Sequence, residues 1–204
     1  TAIPTHREFF EKLFKYWVEL DDEIENLDYH QTKRKFIRHP SILAKSAIEY
    51  FKQSANVSGR LSFTKEDNDY LNILKNLRLV DDNNNFKRAG LLLFGKDPLK
   101  YFTTAFIKIG KFGDSGSELL SQDVIEGNVF EQADVVLEIL DKKYFQKSIS
   151  YKGLQRIETT EYPYPAIREI LLNAIAHRVY QTTPITVRIY GDRLEIWNLG
   201  TLPK

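Results

Sequence analysis

The stretch EYPYPAIREILLNAIAHRVY, residues 161–180, decides how the chain is read. From Ala166 to Ala176 it is almost wholly apolar, a run of Ile, Leu and Ala interrupted by Arg168, Glu169 and Asn173, with His177 just after. Pro163 and Pro165 stand where proline is tolerated, at a helix entrance, so the pattern predicts a helix over 165–178. On that helix Glu169, Asn173 and His177 fall at i, i+4 and i+8 and form one slowly drifting polar stripe. Ile167, Ile170, Leu171, Ala174 and Ile175 are expected to face inward. A carboxylate or amide buried without a partner costs on the order of a few kcal/mol. The stripe is therefore either the solvent side of an amphipathic helix or a row of groups that meets a partner, water or ligand.

Composition narrows the classes around this helix. With 204 residues, 42% of them hydrophobic and 13% aromatic, the chain is long enough for a sizeable core. Its 29 basic and 28 acidic residues leave a net charge of +1, so contact with nucleic acid would need a local patch rather than a global field. The chain has no cysteine, which excludes disulfides, thiolate metal sites and cysteine nucleophiles. No apolar run approaches the ~20 residues of a membrane helix, so no membrane partner is expected and the location is read as cytoplasmic. His6, His30, His39 and His177 have no metal-ligand spacing.

Outward from the central stretch, PITVRIY and RLEIWNLG alternate as two strands around the Gly191-Asp192 turn, with Trp197 expected in the core of the sheet. Upstream, SYKGLQRIETT reads as a strand and VFEQADVVLEILDKKYF as an amphipathic helix. TTAFIKIGKF and SQDVIEGN read as two further strands. The glycines of GKFGDSGSE, residues 110–118, lack the P-loop pattern and read as a surface loop.

The first part reads as helical. A helix carries Phe9, Leu13, Trp17 and Leu20; a second follows Ser41 as cap, and a third opens at Thr64 with Glu66 or Asp67 in its first turn. The turn-rich DDNNN and the strand-like FKRAGLLLFG complete the order of a winged helix. Between the first two helices lies a basic run, Lys33, Arg34, Lys35, Arg38 and His39, which reads as a solvated turn or as a phosphate-contacting patch on DNA. The fold class is α+β: a helical, winged-helix-like region over 1–95, then an α/β domain with a mixed sheet over 96–204, the boundary falling near residues 95–102.

The motif EYPYPAIREILLNAIAHRVY followed by ITVRIYGDRLEIWNLGTLP resembles the C-terminal region of RecG-related, AlbA-type (Schlafen-like) transcriptional regulators of bacteria and archaea. AGLLLFGKDP and YKGLQRIETTEYP extend the resemblance over roughly residues 70–203. That region is related to the GHKL ATPase fold of gyrase, MutL and the histidine kinases. The resemblance implies a GHKL-like sandwich whose lid and second Gly-rich loop would follow Lys204, so the chain reads as a fragment with an incomplete domain.

It also gives the stripe a chemical meaning. Asn173 matches the residue whose amide oxygen holds Mg²⁺ between the phosphates of ATP, and Glu169 the residue that orients and deprotonates water. His177, Asn198 and Gly200 match nucleotide-binding positions. The sequence departs from the pattern where Trp197 replaces the adenine-reading Asp, where Leu199 replaces a Pro, and where Thr201 replaces a Gly. It departs again at Val179, in a group where His-Arg-Asp-Tyr is usual. The expectation is a regulatory or scaffolding module of a DNA-binding transcription regulator, able to form a homo-oligomer and without ATPase activity of its own. The alternative is an ATP-binding and hydrolysing domain in the full-length protein. No helicase motif is present.

Overall fold

The computed structural model describes residues 43–59, 63, 69–81, 85–113, 116–180 and 182–200. The helix expected around Phe9–Leu20, the basic run at 33–39, the Ser41 cap and the Thr64 helix start lie outside them. The described residues form an α+β structure with helices in the N-terminal part and a mixed sheet after them. They divide into two compact units, 43–105 with 127–131, and 106–126 with 132–200.

The first unit holds α1 (Lys45–Ser58), α2 (Tyr70–Asn76) and α3 (Arg88–Phe94). Leu43 bridges Gly95, and the Ala44 N–H donates to the Phe94 carbonyl at 2.7 Å. That pairing fixes where α1 starts, with no side-chain cap at Ala44. At α2 the cap is Asp69, whose carboxylate accepts from the Leu71 and Asn72 N–H groups at 3.1 and 3.2 Å.

The strand expected over FKRAGLLLFG is a correction. Only its two ends pair, Phe86 in a single bridge with Val80 and Gly95 in the one with Leu43, and Arg88–Phe94 is helical. Ala89 to Phe94 are all buried, so this short apolar run has no exposed face whose periodicity could tell helix from strand. Phe94 packs against both Phe51 and Phe130 with ring centroids 5.6 Å apart in each case, Phe51 edge-on to it.

The second unit is built on a four-stranded sheet of β1 (Ile107–Phe112), β2 (Leu119–Ile125), β5 (Ile185–Ile189) and β6 (Leu194–Trp197). The order is β2-β1-β5-β6, antiparallel at β1/β2 and β5/β6 and parallel at β1/β5. It is an open sheet, with no barrel among the described residues. Ile107, Ile109, Ile185, Val187 and Ile189 are buried along one face, and helical segments of the same unit supply the rest of the core.

The first of these segments is the part of α4 (Val129–Ile139) from Gln132 onward, which continues as a π-helical turn over Leu140–Tyr144, where the Phe145 N–H reaches the Leu140 carbonyl. The other is α5 (Tyr164–Ala176), which lies along β6. Its buried residues are Ile167, Leu171, Leu172, Ala174, Ile175 and Ala176, whereas Ile170 is 48% exposed. The expected inward stripe is thus corrected by one position, Leu172 replacing Ile170.

Two further expectations change. Trp197 is 48% exposed rather than in the core. It pairs with Thr186 across an edge strand, in the register opposite to Val187 and Ile196, and so stands on the open face of the sheet. SYKGLQRIETT is not one strand but most of a hairpin, β3 (Lys147–Lys152) and β4 (Gln155–Thr160), forming a separate two-stranded sheet. Gly153, at φ 64°, takes the first place of the two-residue loop, a conformation that most side chains disfavour.

Candidate functional site

The C-terminal end of α5 is where the sequence-predicted residues meet. Pro163 caps the helix at its entrance. At the other end the His177 N–H donates to the Asn173 carbonyl at 3.0 Å, and the chain then leaves the helix. Strand β6 returns beside it: the Val179 N–H donates to the Leu199 carbonyl at 2.8 Å, and the Asn198 amide nitrogen lies 3.4 Å from the His177 carbonyl.

Gly200 makes the closest approach. A β-carbon there would lie 1.8 Å from the His177 carbonyl oxygen, so no other residue fits without moving the backbone. His177, Asn198 and Gly200 therefore form one fastening between helix and strand. Asn173 and Glu169 stand one and two turns back along α5, Asn173 exposed and Glu169 half-buried.

Behind the fastening lies a residue the sequence reading left without a role. Arg178 is 1% exposed and donates to the Phe106 carbonyl at 2.9 Å, tying the end of α5 to the entrance of β1. Its guanidinium sits 4.5 Å above the Tyr180 ring. Burial lowers the Arg178 pKa and pushes the Tyr180 hydroxyl up to about 12, so the phenol stays protonated at neutral pH.

A second cluster was also missed. The π-helical turn carries Lys143 and Tyr144 to Asp123 on β2. The Lys143 ammonium lies 2.7 and 2.9 Å from the carboxylate oxygens, the Tyr144 hydroxyl donates to the same carboxylate, and Ser121 donates to Tyr144 at 3.4 Å. Hydrogen bonds from Lys143 and then Tyr144 hold the Asp123 carboxyl below its usual range, while burial raises the Tyr144 hydroxyl. The partners are 20 and 21 residues apart, so no local spacing betrays them.

One local signal was legible and overlooked. Asn128 and Glu131 form a reciprocal capping box at the start of α4, with both hydrogen bonds at 3.1 Å.

The donor types present fit part of what a Mg·nucleotide needs. Mg²⁺ takes oxygen ligands and commonly uses one or two protein groups plus phosphates and waters. An exposed Asn173 amide one turn from a half-buried Glu169 carboxylate is of that kind. Among the described residues no group of three or more His, Asp or Glu stands close enough to hold a metal by itself. The adenine end fits poorly, because the Trp197 indole offers a donor and no acceptor. The basic residues Lys33, Arg34, Lys35 and Arg38 lie outside the described residues.

No protein-family model matches the chain, and no curated protein does. Among solved structures it is similar to the DIP2311 protein from Corynebacterium diphtheriae, with a TM-score of 0.54 and 23% identity over 80% of this chain. At that identity the likeness concerns the fold. The match spans 26% of that protein, about a quarter of its length. Among the described residues no helix is long and apolar enough to cross a membrane.

Proposed function

We propose that the chain is part of a RecG-related, AlbA-type transcriptional regulator whose second half is a GHKL-like domain acting as a regulatory or scaffolding module. The observation that carries this reading is the fastening of Asn198 and Gly200 onto the His177 carbonyl. In a working GHKL site the loop after this strand turns to adenine. Here its amide and its glycine are engaged by the helix backbone, and Trp197 occupies the adenine-reading position. The mixed order of the sheet supports the GHKL-like reading, and α1 and α2 followed by the Val80–Phe86 bridge support the winged-helix-like one. DNA would be reached through Lys33, Arg34, Lys35 and Arg38.

The exposed Asn173 one turn from Glu169 favours a second reading, an ATP-hydrolysing domain in the full-length protein. Asn173 would then hold Mg²⁺ and Glu169 would orient the attacking water, the ion supplying charge neutralisation on the phosphates.

Calorimetric titration of Mg·ATP into this chain and into the full-length protein separates the two. The module reading expects no saturable heat from either, and phosphate release at millimolar Mg·ATP equal to that of Asn173→Ala. Mg-dependent binding or turnover that disappears in Asn173→Ala would overturn it in favour of the ATPase.

A further inference from the structure

Arg178 is the largest of the fully buried side chains among the described residues, at 1% exposure, and stands just past the end of α5. Its guanidinium carries five N–H groups in a rigid planar fork and keeps its proton inside proteins. A buried lysine escapes the cost of burial by giving up its proton, but an arginine does not. We infer that Arg178 is the binding site of a small monovalent anion, of which chloride is the type, held in the plane of its guanidinium.

The protein groups around Arg178 meet only part of its demand. One nitrogen, Nη2, donates to the Phe106 carbonyl at 2.9 Å. The other two, Nε and Nη1, are buried and find no acceptor among the described residues. The Tyr180 ring lies 4.5 Å from the guanidinium carbon and offers its π face, which attracts the charge without accepting the in-plane N–H groups of the fork. The Tyr180 hydroxyl opposes the lowering of the Arg178 pKa by burial. With its own pKa pushed up to about 12, however, it is uncharged at neutral pH. Among the described residues no carboxylate pairs with Arg178. The carbonyls that end α5 favour a cation, but with partial charges only.

Two needs are therefore outstanding, acceptors for the remaining N–H groups and a counter-charge in a dry site. A water molecule answers the first and leaves the second. An anion answers both. In the plane of the fork a spherical ion takes two adjacent N–H groups, one on Nη2 and one on Nε or Nη1, as a carboxylate oxygen pair would. The enclosure of the side chain sets the size of the occupant. A nucleotide, or an acidic segment of another protein, is too large for a group with 1% exposure, whereas a halide or nitrate enters when the end of the helix opens locally. Bound there, the anion strengthens the tie between the end of α5 and the entrance of β1. The inference concerns Arg178 alone, so it stands or falls separately from the module and ATPase readings.

Thermal unfolding of this chain at constant ionic strength, with chloride exchanged for the bulky gluconate ion, tests the site. An anion that binds only the folded state raises Tm with its concentration. The expected rise is about 4 °C between zero and about 200 mM chloride, levelling off as the site fills. Arg178→Gln should lose this dependence. Should that variant not fold, bromide gives a test on the unsubstituted protein. Crystals grown in bromide are expected to show an anomalous-scattering peak in the guanidinium plane, within hydrogen-bonding reach of Nη2 and of Nε or Nη1. A Tm indifferent to chloride, a chloride dependence that persists in Arg178→Gln, or a water without anomalous signal at that place would overturn the inference.

Discussion

Glycine 200 is the residue on which the geometry of the site depends most directly. Its backbone touches the carbonyl that ends α5, so a methyl group there must displace main chain rather than a flexible side chain. Gly200→Ala should destabilise the unit by about 1–3 kcal/mol, the usual range for overpacking. Thermal unfolding would register the loss, and hydrogen exchange at the Val179 amide would rise as its bond to Leu199 opens. An unchanged melting temperature and exchange rate would mean that 198–200 does not hold the helix end. Asn173, exposed and without a role in that fastening, should tolerate alanine with a change within about 0.5 kcal/mol. This contrast separates the residue that builds the site from the residue that would use it.

At the scale of elements, the π-helical turn is secured to β2 by Asp123. The Asp123 pKa in the fold lies below its unfolded value, so the ionised carboxylate is the form the fold favours. Its contribution is present above the unfolded pKa and is lost as pH falls through the folded one. Because the pair is partly open to water, Asp123→Asn should lower Tm at pH 7 by only about 1–3 °C. The difference between the two proteins should shrink as pH falls below the ordinary carboxylate range and the Asp123 carboxylate is protonated. A gap that stays constant across this range would assign the effect to packing rather than to charge. The hairpin and α5 show how differently two elements depend on their surroundings. Pro163, Pro165 and an apolar run define α5 locally, whereas β3 and β4, joined at Gly153, form ladders only with each other among the described residues.

At the scale of the whole molecule, the near-neutral charge leaves any nucleic-acid contact to a local patch, and the basic run at 33–38 is the one proposed above. If that run contacts DNA phosphates, replacing Lys33, Arg34 and Lys35 by Ala should reduce the slope of log K against log salt by roughly 0.9 per lost contact. A slope that stays the same would dismiss the patch. The α+β class, the strands β1, β2, β5 and β6, and the helices α4 and α5 were legible because each has a period or a boundary residue acting over a few positions. Glu169, Asn173 and His177 could be placed on one stripe for the same reason. Other features required the tertiary structure. The all-buried run Ala89–Phe94 has no polar face to report its period, so its helix was decided by the packing around it. Trp197 is half-exposed because β6 is an edge strand, and edge position is a property of the sheet rather than of the strand. The Asp123–Lys143–Tyr144 cluster, the Arg178 anchor and the contact of Gly200 with His177 join residues 20 to 72 positions apart. Local sequence encodes which elements form, through propensity and periodicity; which side chains meet across them is settled only when the apolar faces close on one another.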